Sequence, residues 1–474
     1  MKHKNLISAL VIFASLLGCS IADARTVKGN VTSGDEKLSD VIITDGKNFS
    51  KTRKDGSFKI KLDKNAKFVY IITPSGYVAD WSSGVPQFYQ KADKGNSFDF
   101  DLIKTGLDYS TYHLIAVGDP QPRTKANCDE FDGKPLEDIC QTVKGLEGPA
   151  VGVVLGDLCF DVFPLMARWK ESIVRTGIPF YTTPGNHDHD RSIENNDYLA
   201  VGTYNENFGP ENYAFHMGKD IVIMLDNIIY HNRSGYEEGY TAEQLKWVKS
   251  LLDLIPAEAD IYVVQHSPLN GRTPVSKRKQ TIVNKDPMLD ILKGHKVTFI
   301  SGHNHVNGNY IYGPEVMEHN VAAISGSWWS TYLCKDGTPR GYKVFSNTGK
   351  GLEWYYKSVG KDKKYQYELI RKGEGELNPD CVIVNVWDYD PQWSIEWLED
   401  GRPMGQMTQV TEFSPQHKAQ IREVEERTGK KISSYRKTIK SGHYFAAKPS
   451  EAATKITINI TDRFGNTWSE DIAL

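Results

Sequence analysis

Five short segments carry residue types that bind metal ions and move protons. In chain order they are Asp119-Pro120-Gln121, Gly156-Asp157, Gly185-Asn186-His187-Asp188, His266 within VVQHSP, and Gly302-His303-Asn304-His305. Carboxylates, imidazoles and amide oxygens are donors for divalent metal ions. Such ions serve hydrolysis by activating a water molecule. Taken singly, each segment is a weak signal, because Gly-Asp is an ordinary turn and a lone histidine at a strand end is more often structural.

The elements that must position these residues read clearly. Every segment ends an apolar, β-rich run: HLIAVGDPQ, AVGVVLGDLCFD, IPFYTTPGNHD, ADIYVVQHSP and VTFISGHNH, with IVIMLDN of the same texture. Continuous apolar runs of this length predict strands covered on both faces, as in layered α/β folds. Amphipathic stretches lie between them, and Thr241-Ala-Glu-Gln244 is a capping box opening the helix TAEQLKWVKSLLD. Strands alternating with helices predict an α/β sandwich. Loops after its strands would then share one crevice, where open α/β sheets place their sites.

In this order, and each after a strand, the segments resemble the calcineurin-like metallophosphoesterase superfamily over roughly residues 108–335. The resemblance implies a four-layer α-β-β-α sandwich and two divalent metal ions. Carried over residue by residue, it gives one site to Asp119, Gln121, Asp157 and His305, and the other to Asp157, Asn186, His266 and His303. Asp157 is the natural bridge, since one shared carboxylate holds two ions about 3.5–4 Å apart with a hydroxide between them. The first family motif is usually Asp-x-His, and here Gln121 replaces the histidine. An amide oxygen in place of an imidazole makes that site favour Mn or Mg, whereas the two-imidazole site suits Zn or Fe.

The resemblance also implies a mechanism, in-line attack on phosphorus by the metal-bridging hydroxide. His187, which is assigned to no metal, would protonate the leaving oxygen, with Asp161 of GDLCFD orienting it. Some members carry that Asp one residue earlier, where this chain has Phe160. Asp188 is expected to support the loop. His189 is expected on a surface loop, and His113, His295 and His319 in structural roles.

The flanks have a different texture. The chain has 474 residues, about three domains of about 150 residues each. Residues 26–104 are short alternating runs with Asp45-Gly46 and Asp55-Gly56 between them, the pattern of hairpins in a small β domain. This region resembles the transthyretin-like carboxypeptidase regulatory domains. The core region is taken as 108–335, followed by a β-sandwich over 336–474. A helix capped by Ser414, with Pro415 first and Gly429 past its end, interrupts that sandwich. The hairpin at 341–357 fits either the sandwich or the catalytic sheet. In the three-part secreted bacterial members that the chain resembles, a segment like SGSWW…DGTPRGY (325–342) follows the core.

Lys2 and Lys4 followed by LISALVIFASLL read as an export signal over residues 1–24. Cleavage after Ala22-Asp23-Ala24 would free the protein. A lipobox reading of Leu16-Leu17-Gly18-Cys19 would instead lipidate Cys19 and make that anchor the only membrane contact. Either reading sends the protein to the periplasm or outer membrane of a Gram-negative-type bacterium. Six cysteines are too few for a disulfide scaffold; Cys128 and Cys140 either bridge their insertion or remain free thiols.

A formal charge of −3 argues against a nucleic-acid partner. The expected substrate is a phosphorylated small molecule, sugar or lipid, with phosphomonoesters first and phosphodiesters second. The rival reading is a non-catalytic envelope- or glycan-binding protein with a degenerate core. Arg272 in the basic loop GRTPVSKRKQT, with Trp328, Trp329 and Arg340, are the candidate substrate contacts.

Overall fold

The computed structural model describes residues 25–232, 235–269 and 282–474. Residues 1–24 with Cys19, expected to be an export signal, and the basic loop with Arg272 lie outside the described residues.

Two sheets face each other at the centre. The first orders its strands Phe180–Thr182, Ala150–Val154, Tyr112–Val117, Gly341–Asn347 and Leu352–Ser358; the first three run parallel and the last two antiparallel. In the second, Asp220–Leu225, Ile261–Gln265, Val297–Ser301 and Val316–Asn320 are parallel. Antiparallel edge strands Tyr213–Met217 and Gly308–Gly313 close it. Leu114, Ala116, Val151 and Val153 on one inner face meet Val222, Met224, Tyr262 and Val264 on the other. Outside the first sheet, Ile115 and Val117 pack under Leu136, Ile139, Met166 and Trp169 of helices Lys134–Lys144 and Leu165–Ile173. Outside the second, Ile223, Val263 and Phe299 pack under Trp247, Leu251 and Met288 of helices Ala242–Leu252 and Lys285–Ile291. The core is therefore a four-layer α-β-β-α sandwich, and burial on both sheet faces is what the unbroken apolar strands encode.

The hairpin at Gly341–Asn347 and Leu352–Ser358 pairs with Tyr112–Val117 and so completes the first sheet, which runs beyond residue 335. After it, two four-stranded antiparallel sheets enclose Val384, Trp397, Phe445 and Ile458 as a separate sandwich. Its helix Pro415–Thr428 has Ser414 accepting from the His417 N–H, and Gly429 follows at φ 64°. The Thr241–Gln244 capping box is likewise formed.

Residues from Thr26 to Lys104 form a small β domain of two four-stranded sheets and a two-stranded ribbon, Tyr77–Val78 with Ile103–Lys104. Asp45-Gly46 turns the hairpin Ile42–Thr44/Phe49–Lys51. Asp55-Gly56 does not make a hairpin. It carries the chain from Phe49–Lys51 in one sheet to Ser57–Lys61, which pairs with Thr26–Ser33 in the other. A turn signal marks the reversal and leaves the pairing partner to the sandwich. The domain docks on the second core sheet, where Phe88 meets Tyr213 at 4.7 Å and Thr73 bridges to Phe215. Cys128 and Cys140, in helices Lys125–Asp132 and Lys134–Lys144, are free thiols.

Candidate metal centre

The candidate donors converge because each stands on a loop after the C-terminal end of a parallel strand. Asp119 and Gln121 follow Tyr112–Val117, Asp157 follows Ala150–Val154, and Asn186, His187 and Asp188 follow Phe180–Thr182. His266 follows Ile261–Gln265, and His303 and His305 follow Val297–Ser301. Ligand atoms of Asp119, Asp157 and His266, all buried, lie within 4.8 Å of one another. Asp119, Gln121, Asp157, His303 and His305 have φ of 45°, 43°, 53°, 69° and 51°. Left-handed non-glycine residues are uncommon, and five in one cluster mark a backbone held by its surroundings to aim side chains inward. Close approach also demands glycine at Gly185, where a Cβ would stand 2.3 Å from Asp157 Oδ1.

The hydrogen bonds fix which atoms face inward. His266 Nδ1–H donates to the Leu155 carbonyl (2.6 Å) and His305 Nδ1–H to the Gly326 carbonyl (3.0 Å). A carbonyl only accepts, so both rings present a bare Nε2, the arrangement typical of metal-ligating histidine. Burial lowers His266 to about 4 and His305 to about 3, so both are neutral near pH 7. His303 turns Nε2 to the Glu238 carboxylate at 3.3 Å and points Nδ1 at His266 Nε2, 3.0 Å away. Asn186 Oδ1 at 3.2 Å and Asp157 Oδ1 at 3.4 Å face the same nitrogen. Four atoms of metal-binding type thus crowd one point, as the ligands of a cation do.

The second group is alike. His305 Nε2 is 3.7 Å from Asp119 Oδ1 and buried without a hydrogen-bond partner, as is Gln121 Oε1. Gln121 Nε2 donates to Asp157 Oδ2 at 2.6 Å. A half-turn of the amide exchanges its oxygen and nitrogen. Burial and the neighbouring Asp157 push Asp119 well above the usual carboxylate range. Burial also pushes Asp157 up, but His266, His187 and His303 outweigh it and hold it low. Orphaned buried donors, facing lone pairs and a carboxylate common to both groups fit two divalent ions, with more oxygen in the Gln121 group.

His187 stands beside this cluster, with Nδ1 2.8 Å from Asp161 Oδ1. Phe160 does not replace that carboxylate: its ring stacks on His187 at 3.9 Å, while Asp161, at φ 58°, turns back to reach the imidazole. Asp188 is a brace. Its carboxylate accepts the N–H groups of Leu158, Cys159 and Gly185, tying the Gly-Asp loop to the Gly-Asn-His-Asp loop. His189 is fully buried and not on the surface, because Gly185 O at 3.0 Å and Asp226 at 3.2 Å hold its two nitrogens.

Among the candidate substrate contacts, Trp328 stacks on His305 at 3.8 Å, and Trp329 Nε1 donates to the Pro120 carbonyl. Arg340 does not join the cluster. It is buried against Glu130 at 2.6 Å, beside a cavity of ≈ 830 Å³ lined by none of the candidate ligands. Sequence reasoning missed Glu238, which fixes His303, and Asn227, whose Oδ1 accepts the N–H groups of His266 and Ser267. It also missed Arg191, whose Nε donates to Asp161 Oδ1 at 2.9 Å. Asn227 follows the strand Asp220–Leu225, the one apolar run whose closing loop drew no candidate.

Sequence comparison matches three consecutive family models. They are the N terminal of Calcineurin-like phosphoesterase over 25–105, Calcineurin-like phosphoesterase over 112–307, and the C terminal of Calcineurin-like phosphoesterase over 318–468. A search of curated proteins found no match. Among solved structures, a dimetal phosphatase from Danio rerio is similar at 14% identity and TM-score 0.36, covering 52% of this chain and 99% of that one. A 5'-nucleotidase from Candida albicans is similar at 12% identity and TM-score 0.32, covering 52% of each chain. The chain belongs to the calcineurin-like phosphoesterase family.

Proposed function

We propose that this phosphoesterase is an exported enzyme that hydrolyses phosphomonoesters at a centre built by Asp119, Gln121, Asp157, Asn186, His266, His303 and His305. The observation that carries the reading is the convergence of buried ring nitrogens and carboxylate oxygens around Asp157, with the ligand atoms of Asp119, Asp157 and His266 within 4.8 Å of one another. Two divalent ions, when bound, would lower the pKa of a water nucleophile and offset the charge of the phosphate.

The chain's residues supply the rest. Leu155 and Gly326 hold His266 and His305 in the tautomer that binds a cation. Asp188 keeps the loops of Asp157 and Asn186 in register. With Nδ1 engaged by Asp161, His187 has Nε2 left to carry a proton to the leaving oxygen. Export rests on Lys2, Lys4 and the apolar run after them, and mass determination of the mature N-terminus separates Cys19 from Arg25.

The test is hydrolysis of p-nitrophenyl phosphate and bis-p-nitrophenyl phosphate with Mn²⁺, by wild type and Asp157→Asn. The expected result is faster monoester turnover, abolished by the substitution. Faster diester turnover would make the enzyme a phosphodiesterase. Equal activity of the two proteins would overturn the catalytic reading.

A further inference from the structure

From the mouth of this centre we infer that the C-terminal part of the chain completes the substrate site, with Tyr435 and Arg436 joining Arg123 in a subsite for a second anionic group on the alcohol portion of the ester. The inference rests on the phosphoesterase reading and narrows its substrate class.

Two aromatic stacks rise from the candidate centre. On one side the Arg123 guanidinium lies 3.5 Å over the Phe160 ring, which in turn stacks on His187. On the other, Trp328 stacks on His305 and meets the Tyr435 ring edge-on at 5.1 Å. Tyr435 and Arg436 belong to the turn Ser434–Arg436, between the helix Pro415–Thr428 and the strand Ser441–Ala447. That turn is pinned to the SGSWW segment. Arg436 donates to Ser330 Oγ at 3.0 Å, and its carbonyl accepts from Ser327 Oγ at 2.9 Å.

Arg436 Nη2 donates to the Tyr435 hydroxyl at 3.2 Å, and the charge of Arg123, from a distant part of the chain, also acts on that hydroxyl. Burial pushes the Tyr435 hydroxyl up, but hydrogen bonds with Ser433 and Arg436 and the charges of Arg436 and Arg123 outweigh it and hold the group below its ordinary value. Tyr435 is nevertheless 45% exposed and Arg123 is exposed, so both meet an incoming molecule. Neither arginine has a carboxylate partner among the described residues, and Arg436 Nε is buried without a hydrogen bond. Two guanidinium groups without a carboxylate partner among the described residues, beside a hydroxyl, make a receptor for phosphate or carboxylate.

Position separates this subsite from the reacting phosphate. Phe160 stands between Arg123 and His187, and Trp328 between Tyr435 and His305. Arg123 therefore sits one ring beyond His187, where the leaving group would be met, and Tyr435 with Arg436 sits one ring beyond His305.

The experiment compares matched substrates with the Mn²⁺-loaded enzyme: fructose 6-phosphate with fructose 1,6-bisphosphate, and AMP with adenosine 3′,5′-bisphosphate. The wild type should prefer the bisphosphate in at least one pair by tenfold or more in kcat/KM, chiefly through KM. Arg123→Ala and Arg436→Ala should each reduce that preference at least fivefold, and Arg123→Lys should keep part of it. Loss on p-nitrophenyl phosphate as large as the loss on the bisphosphate would overturn the subsite, placing the arginines on the reacting phosphate or in the fold. Wild-type activity with no preference in either pair would also overturn it while leaving the phosphoesterase reading intact. Inactivity on every substrate would overturn both.

Discussion

Two buried polar clusters in this molecule follow opposite rules. At the seam with the C-terminal sandwich, charges are matched within the chain. Lys343 pairs with Asp388 at 2.6 Å, Arg463 grips Asp390 with two hydrogen bonds, and Asp336 meets His443 at 3.1 Å while accepting from Asn307 and Thr338. At the candidate centre atoms of metal-binding type face one another: His266 with His303 and Asn186, His305 with Asp119. The first cluster is complete as folded, whereas the second needs positive charge from outside. Burial alone does not mark a functional site here, since both clusters are buried; unmatched charge does.

The largest effect should come from removing the shared carboxylate. Asp157→Asn should lower Mn²⁺-dependent turnover by about a thousandfold or more, while Asp388→Asn leaves chemistry largely in place. Stability should sort the other way. Asp388→Asn strands the buried Lys343 and should cost about 3–5 kcal/mol in urea unfolding. Metal-free Asp119→Asn should cost nothing or stabilise, because it removes a carboxylate that burial and Asp157 disfavour. A large loss in metal-free Asp119→Asn would break the contrast.

Next in size is His187→Ala, which should lose about 100-fold or more on poorly leaving alkyl phosphates. The loss on p-nitrophenyl phosphate should be much smaller. Equal losses on both would remove His187 from the general-acid role. Asp188→Ala should weaken Mn²⁺ binding by about 10–100-fold, the range for a residue that orients ligands without touching metal.

The smallest predicted effect is on pH. Burial pulls His189 down, but Asp226 and Asp197 outweigh it and raise it from 6.5 to about 9. Its folded-state pKa is the higher one, so its stabilisation is full below about 6.5 and is lost as pH rises through about 9. From pH 6 to 8 the wild type should lose about 2 kcal/mol that His189→Gln does not lose. Denaturant titrations of both proteins at the two pH values would show it.

Much of this contrast was legible in the chain. The strands were readable because burial on both faces leaves unbroken apolar runs, and the donors because each closes such a run. Local signals also held, as at Thr241-Gln244 and at Ser414 with Gly429, since capping is decided within a few residues. What escaped depends on distant partners. His189 looks like a loop residue until Asp226 arrives from another strand end, and the hairpin at 341–358 joins the first sheet through pairing that no local pattern encodes. Arg340 sits in a family-like segment, yet its guanidinium is claimed by Glu130. Arg123 and Phe160 acquire meaning only through the ring stack on His187.

The most direct test of the central claim is a calorimetric titration of the metal-free protein with Mn²⁺. Two equivalents per chain with unequal affinities are expected, with loss of the two-site isotherm in Asp157→Asn. No binding, or an isotherm that Asp157→Asn leaves unchanged, would contradict it.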